Sequence, residues 1–256
     1  MKIPTFELQN IELRLKYREV QIWQSSLEVS PLWYNKLAAY LSEDEQLRAK
    51  RFHFEEHRVR FTVSRGLLRL LIGKYLDVSP ASIEFIYGRH GKPSLVVKPE
   101  LPPLNFNISH SQNVAVFAFS RDTDLGVDVE FIKPNRELMR IARRFFSKHE
   151  FTVLQSLPKS EQLNGFYNCW TRKEAFIKAV GDGLAMPLDS FSVTLKPSEP
   201  AQLLWMQGET DEVGSWTLKS WQPWENFAAA IAIRHPETRI EIMNIQQDSS
   251  DGGNWS

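Results

Sequence analysis

Apolar and polar residues alternate along several short segments of the chain, and this pattern predicts β-strands. The clearest segment is Leu125–Phe131, in which apolar residues take one face and two acidic residues take the other. Other predicted strands cover residues 18–28, 83–87, 104–108, 114–119, 190–195, 201–206, 215–220 and 226–233. Because the strands over 104–108, 114–119 and 125–131 follow one another closely, we expect them to form a meander.

Apolar residues recur every three or four positions elsewhere, which is the period of an α-helix. The predicted helices cover residues 31–54, 55–76, 137–146, 149–155 and 162–180. Because helices and strands are grouped apart along the chain, the pattern predicts an α+β fold. The order of elements is repeated once, and we interpret this repeat as two similar halves that join near residues 120–125.

The chain has 256 residues, of which 42% are hydrophobic, so it can form one large domain or two small ones. Its formal net charge is zero, which gives no indication of a nucleic-acid or membrane partner. No apolar run approaches the roughly 20 residues that span a bilayer. With a single cysteine and an N-terminus too mixed for a signal peptide, the sequence predicts a cytoplasmic protein.

Three carboxylates are candidates for metal binding. Asp128 and Glu130 share one face of a predicted strand, and Glu174 lies on a predicted helix. Brought together, the three would repel one another unless a cation lay between them, and hard oxygen ligands suit Mg²⁺ bound beside a phosphate. Taken singly, the strand acids could be exposed residues, and Glu174 could form a surface ion pair with Lys178 four residues later.

Polar and basic residues elsewhere are suited to a phosphorylated ligand. Ser109 and His110 end a predicted strand, and their hydroxyl and imidazole groups can contact phosphate. Gly91 lets a ligand approach the backbone, and Lys92 offers a positive charge. Residues 48–74 hold eight lysines and arginines but two acids, so positive charge is concentrated there. Taken alone, each feature is also explained as a turn or a solvated helix face.

Five motifs, taken in order, resemble those of the 4′-phosphopantetheinyl transferases, specifically the larger, Sfp-type, monomeric branch. They are G-K-P at 91–93, F-N-I-S-H-S at 106–111, G-V-D-V-E at 126–130, F-F-S-K-H-E at 145–150 and W-T-R-K-E-A-F-I-K-A-V-G at 170–181. The resemblance covers about residues 48–193. It implies an α+β fold whose two similar α/β halves are related by a pseudo-twofold axis, with antiparallel sheets packed against long helices.

The resemblance also implies an activity. Such enzymes transfer 4′-phosphopantetheine from coenzyme A to a serine of an apo carrier protein, which gives holo carrier and adenosine 3′,5′-bisphosphate. The implied partners are the acyl and peptidyl carrier domains of fatty acid, polyketide and nonribosomal peptide synthesis. Two alternatives remain open: a non-catalytic protein that binds coenzyme A or a carrier protein, and a Mg²⁺-dependent nucleotide phosphodiesterase.

By resemblance, Asp128, Glu130 and Glu174 hold Mg²⁺ at the pyrophosphate of coenzyme A, the co-substrate. Glu174, directly or through a metal-bound water, is implied as the base for the carrier serine, and Lys178 is implied as a catalytic group that offsets phosphate charge. His110 matches a contact to the 3′-phosphate. The residues implied to bind coenzyme A are Arg51, Arg60, Gly91, Lys92, Pro93, Ser109, His110 and Lys178.

We expect two subdomains and a tail. Residues 1–122 form the N-terminal subdomain with the basic coenzyme A-binding segment, and residues 123–240 form the C-terminal subdomain with the metal-binding acids. Residues 241–256 are predicted to be a disordered tail because most of them are small or polar. The carrier-docking surface is expected after Glu130 and on the helices around residues 147–170.

Overall fold

The computed structural model describes residues 13–88, 91–96, 98–181, 186–208 and 210–245. Its strands are β1 (Glu19–Ser26), β2 (Phe85–Tyr87), β3 (Pro93–Leu95), β4 (Asn105–Ser111), β5 (Val114–Ser120), β6 (Leu125–Phe131), β7 (Phe191–Val193), β8 (Leu203–Met206), β9 (Thr217–Trp221), β10 (Phe227–Ile233) and β11 (Arg239–Asn244). Its α-helices are α1 (Pro31–Ala38), α2 (Glu43–Lys50), α3 (Glu55–Leu76), α4 (Leu138–Phe145), α5 (Lys148–Ser156) and α6 (Lys159–Val180). The predicted α+β class is confirmed.

The two halves of the chain repeat the same order of elements. β1 is followed by two short helices and the 22-residue helix α3, and β6 is followed by two short helices and the 22-residue helix α6. The main antiparallel sheets also match, because β1-β5-β4 in the first half has the same order as β6-β10-β9 in the second. The fold therefore consists of two similar halves.

The predicted meander is wrong in its last strand. β4 and β5 pair as expected, but β6 pairs with β10 in the other sheet. The free edge of β6 lies against side chains of β4 and not against the backbone of β5. Closeness along the chain favours a meander, but the packing of the two sheets decides which strands pair.

The predicted helix over residues 31–54 is two helices, α1 and α2. Ser42 begins α2 in a capping box, in which its backbone N–H donates to the Glu45 side chain at 3.1 Å. Because reciprocal capping satisfies backbone groups at the start of a helix, α2 begins here as a separate helix, although the helical spacing of apolar residues continues across the break. The sequence Ser-Glu-Asp-Glu at residues 42–45 carries that signal.

The predicted disordered tail, residues 241–256, begins too early. Residues 241–244 belong to β11, which pairs in parallel with β1 and so returns the chain to the first sheet. Burial of Ile240 and Ile242 against the core stabilises this strand, although polar residues interrupt it. Residues 246–256 lie outside the described residues.

The core has three parts, and the third of them orients the acidic strand. One cluster packs α3 on the first sheet, and another packs α6 on the second. The third lies between the two sheets and includes Val127 and Val129. Because side chains alternate along a strand, Asp128 and Glu130 face away from that cluster. Within the described ranges, no helix is long and apolar enough to cross a membrane.

Candidate active site

Strand β6 and helix α6 approach each other closely at Gly126. A Cβ atom built on this residue would lie closer than 3.0 Å to the Ala175 carbonyl oxygen, so a larger residue does not fit. Asp128 follows two residues later on the same face of the strand. The close contact at Gly126 thus fixes the strand acids beside Glu174 and Lys178 of the helix.

Lys178 connects helix α6 to strands β4 and β6. Its Nζ lies 2.7 Å from Asp128 Oδ1 and donates to Ser109 Oγ at 3.1 Å and to the Val127 carbonyl oxygen at 3.2 Å. The Lys178 side chain is 29% exposed, whereas that of Asp128 is 5% exposed. A cation that is reachable from solvent therefore holds a buried carboxylate in place.

Side chains of β4 bind the free edge of β6. Alternate residues of β4 accept hydrogen bonds from alternate backbone N–H groups of β6. The pairs are Asn107 with Val127 at 2.9 Å, Ser109 with Val129 at 3.3 Å, and Ser111 with Phe131 at 3.1 Å. These bonds join the two halves of the molecule at the acidic strand.

Two of the same hydroxyl groups hold the acids. Ser109 Oγ donates to Asp128 Oδ1 at 2.9 Å, and Ser111 Oγ donates to Glu130 Oε2 at 2.9 Å. Asn107 and Ser111 lie in the motif at 106–111, but the sequence did not indicate that their side chains bind strand β6. The signal was available as polar residues at every second position from Asn107 to Ser111, but the predicted strand ends at residue 108, whereas β4 continues to Ser111.

Two of the three acids, Glu130 and Glu174, lie in an environment that disfavours their charge. Burial and the nearby Asp128 raise the pKa of Glu130, and the same two causes raise the pKa of Glu174. Asp128 Oδ2 is buried and has no hydrogen-bond partner. A buried anionic oxygen without a donor, beside two carboxylates of raised pKa, is an environment that a cation would relieve.

The acids nevertheless do not form a closed metal-binding group. Across the described parts of the chain, no three His, Cys, Asp or Glu side chains are arranged to hold an ion. Lys178 contacts Oδ1 of Asp128, which leaves Oδ2 as the oxygen without a partner. The Mg²⁺ site of Asp128, Glu130 and Glu174 remains a prediction.

Several residues predicted to bind coenzyme A surround Lys178. Burial, together with the charges of Lys178 and Arg60, lowers the pKa of His110. Lys92 Nζ donates to the Lys178 carbonyl oxygen at 2.6 Å, and burial lowers the pKa of Lys92. With Ser109, these residues line the same region where the two halves meet.

The remaining predicted residues lie farther out in the first half. Arg60 forms an ion pair with Glu56, and its Nη2 lies 3.4 Å from Gln112 Oε1. Gly91 has a positive φ of 77° in the turn between β2 and β3, and Pro93 opens β3. Arg51 is exposed at the end of α2, beside a surface cavity of about 570 Å³. No hydrogen bond or ion pair within the described segments joins Arg51 to the residues around Lys178.

Two family models match adjoining parts of the chain. Residues 23–122 match the N-terminal model of 4′-phosphopantetheinyl transferase, and residues 124–232 match the model of the 4′-phosphopantetheinyl transferase superfamily. A solved structure that matches part of the chain is holo-[acyl-carrier-protein] synthase of Thermotoga maritima. It is 18% identical, covers 44% of this chain and 64% of its own, and has a TM-score of 0.35.

Several relatives match most of the chain, and two of them serve as examples. The 4′-phosphopantetheinyl transferase HetI of Nostoc sp. is 40% identical over 221 residues, which cover 86% of this chain and 90% of that protein. The 4′-phosphopantetheinyl transferase Sfp of Bacillus subtilis is 32% identical over 213 residues, covering 83% and 91% respectively. With the two family models, these similarities show that the chain belongs to the 4′-phosphopantetheinyl transferase superfamily.

Proposed function

We propose that this protein transfers 4′-phosphopantetheine from coenzyme A to a serine hydroxyl of an apo carrier protein. The observation that carries the proposal is the convergence of Asp128, Glu174 and Lys178 where the two halves meet, with Ser109 and His110 beside them. Acids, cations and hydroxyl groups are thus concentrated where a pyrophosphate would need them.

We propose Asp128, Glu130 and Glu174 as the residues that hold Mg²⁺. The unpartnered Oδ2 of Asp128 and the raised pKa values of both glutamates fit a site built for a divalent cation. The bound ion would neutralise charge on the pyrophosphate. Ser109 and Ser111 would keep the strand carboxylates oriented, since each donates to one of them.

In this proposal, Glu174 accepts the proton of the carrier serine. The serine oxygen attacks the phosphorus of the phosphopantetheine arm, and the phosphoanhydride bond breaks to release adenosine 3′,5′-bisphosphate. In the metal-free protein, burial and the nearby Asp128 raise the pKa of Glu174. The nearby cations would favour its ionised form, which can accept the serine proton. Lys178 would stabilise negative charge on the departing phosphate.

The other cations are proposed to hold coenzyme A. Lys92 and Lys178 lie together at the end of α6, where a pyrophosphate would contact both. His110 and Arg60 are close enough to influence each other, and we assign them to the 3′-phosphate. We assign Gly91, Pro93 and Arg51 to the outer part of the same substrate site.

The further organisation is also a proposal. We propose two subdomains that meet near residue 122, a monomeric protein, a cytoplasmic location and docking of acyl or peptidyl carrier domains close to Glu130. In support of this docking surface, Phe131 packs against Phe227 with ring centroids 5.1 Å apart, and Trp224 is 36% exposed in the adjoining turn. Carrier domains of fatty acid, polyketide and nonribosomal peptide synthesis are the candidates to be tested.

The proposal is tested by incubating the protein with coenzyme A, Mg²⁺ and a panel of apo carrier proteins. Intact-mass spectrometry should show that a phosphopantetheine arm is added to at least one carrier, and not to the same carrier with its serine replaced by alanine. Binding of coenzyme A without any mass gain would indicate a non-catalytic protein. Hydrolysis of coenzyme A in the absence of carrier would indicate a phosphodiesterase.

A further inference from the structure

Lys173 is a fully buried cation beside the proposed base, and all its N–H groups are bonded. Its Nζ lies 2.9 Å from Glu150 Oε1 and donates to the carbonyl oxygens of Leu188 and Phe191 at 2.7 and 2.6 Å. These three acceptors match the three N–H groups of an ammonium. Because both Lys173 and Glu150 are 0% exposed, neither side chain touches a substrate.

Glu150 is bonded as completely as Lys173. Its Oε2 accepts the backbone N–H of Ser147 at 2.8 Å, and its Oε1 accepts that of Val193 at 2.8 Å. The pair therefore joins the start of α5, the middle of α6 and strand β7. A buried ion pair with every polar atom satisfied permits only one arrangement of the elements it connects.

The first half of the molecule contains an equivalent buried ion pair. Arg69 Nε lies 2.6 Å from Glu45 Oε2, and Arg69 donates to the carbonyl oxygens of Pro80 and Ile83 at 3.1 and 2.9 Å. Glu45, like Glu150, is the third residue of a short helix and closes its capping box. Arg69, like Lys173, is the fifteenth residue of a 22-residue helix.

The residues around the two buried ion pairs differ in chemistry. Glu174 follows Lys173, whereas Leu70 follows Arg69. Asp128 lies opposite the fourth residue of β10, and the equivalent residue, opposite the fourth residue of β5, is Trp23. The repeat thus places one buried ion pair beside two further acids and the other beside a second buried cation, Arg65, whose Nε lies 3.5 Å from Glu45 Oε1.

We infer that the Glu150–Lys173 pair is a positioning element that fixes the direction of the Glu174 carboxylate. Consecutive residues of an α-helix project about 100° apart, so holding Lys173 against Glu150 fixes where Glu174 points. On the strand side, contact between Gly126 and Ala175 holds the same turn of α6. The inference rests on the proposed function, because it assigns Glu174 to metal binding and base catalysis.

The test compares two double variants, in each of which both members of one buried ion pair are replaced by uncharged residues. E150Q/K173M neutralises the Glu150–Lys173 pair, and E45Q/R69M neutralises the Glu45–Arg69 pair, beside which Arg65 keeps its charge. Mn²⁺ replaces Mg²⁺ as a paramagnetic probe, and its affinity in the presence of coenzyme A, without carrier, is measured by electron paramagnetic resonance. Circular dichroism fixes a temperature at which every variant is folded, and kcat and the KM for coenzyme A are measured at that temperature.

Both double variants should lower the melting temperature. Only E150Q/K173M should weaken Mn²⁺ binding by about 10-fold to 100-fold and lower kcat, with the KM for coenzyme A unchanged when the metal ion is saturating. Equal Mn²⁺ affinity in the two double variants would overturn the inference. If E150Q/K173M does not fold, K173R is measured in its place. Weaker Mn²⁺ binding by K173R with an unchanged KM for coenzyme A would support the inference. Mn²⁺ binding equal to that of the wild type would overturn it. Wild-type protein that binds no Mn²⁺ would instead refute the proposed metal site.

Discussion

Lys178 Nζ lies 2.7 Å from Asp128 Oδ1, although the two residues are 50 positions apart and belong to different elements. The contact places the positive charge of Lys178 beside the Asp128 carboxylate, which also lies near two other acids. It leaves Asp128 Oδ2 as a buried oxygen without a hydrogen-bond partner. This relationship defines the site, because it links the acidic strand, the long helix and the polar strand β4 through one side chain.

The substitution Lys178→Ala should lower kcat/KM for transfer by about 100-fold, since a charge that stabilises the departing phosphate is removed. Lys196→Ala is the matched control, because Lys196 pairs with Glu199 on the surface at 3.0 Å. Both variants are assayed by the rate of mass gain of one apo carrier. Equal activity of the two variants would show that Lys178 has no catalytic role.

The substitution Gly126→Ala should unfold the junction between β6 and α6 or force it apart. The added Cβ would meet the backbone of α6, so we expect a loss of about 3 kcal/mol in the free energy of unfolding. Gly214→Ala is the control, since a Cβ at Gly214 has nothing within 4 Å. Urea unfolding measures both, and a loss of similar size in both variants would contradict the close-contact explanation.

Metal-free protein should lose stability as pH rises through the raised pKa of Glu174. Between the ordinary value of 4.5 and that raised pKa, the folded state binds more protons than the unfolded state, so the stability present at lower pH is lost as pH rises. Glu174→Gln should therefore raise the melting temperature in EDTA at neutral pH.

The exposed residue Glu225 supplies the control for this effect, because Glu225→Gln should leave the melting temperature unchanged. Thermal melts with EDTA and with Mg²⁺ complete the comparison. Mg²⁺ should stabilise the wild-type protein more than Glu174→Gln. A Glu174→Gln variant that is less stable than wild type in EDTA would show that the carboxylate is not under electrostatic strain.

The sequence identified most elements because their periods are strong and local. Helix α3 and strand β6 have the bounds that the apolar pattern predicts, and Gly181 ends α6 with a positive φ of 86°. The break between α1 and α2 was missed because the apolar period continues across it. The partner of β6 and the return of β11 to β1 were missed because both depend on contacts between distant segments.

The candidate site was predictable as a set of residues but not as an arrangement. The motifs selected Asp128, Glu130, Glu174 and Lys178, and the fold brings them together. Sequence spacing suggested Glu174 as the ion-pair partner of Lys178, whereas the structure pairs Lys178 with Asp128. Helical spacing identifies neighbours within one helix. The burial of the Asp128 carboxylate instead depends on how closely β6 packs against α6 at Gly126, which the spacing does not show.

The substitution His110→Ala should weaken binding of coenzyme A by about tenfold, because a hydrogen bond to a charged phosphate is lost. It should weaken binding of 3′-dephospho-coenzyme A much less. The lowered pKa of His110 also predicts that coenzyme A binding takes up a proton near neutral pH, since the 3′-phosphate would favour the protonated ring.

Isothermal titration calorimetry in two buffers with different ionisation enthalpies measures both the affinity and the proton uptake. His235→Ala, in the turn between β10 and β11, is the control and should bind both ligands as wild type does. If His110→Ala weakens coenzyme A and 3′-dephospho-coenzyme A equally, His110 does not contact the 3′-phosphate.

The central claim is that Glu174 acts with Asp128 in transfer to a carrier serine. The most direct measurement is the intact mass of an apo carrier over time with coenzyme A, Mg²⁺ and either wild-type protein, Asp128→Ala or Glu174→Gln, each verified as folded by circular dichroism. Wild-type protein should add one arm per carrier, and each variant should do so at least about 100-fold more slowly. Equal rates of mass gain by wild type and both folded variants would contradict the claim.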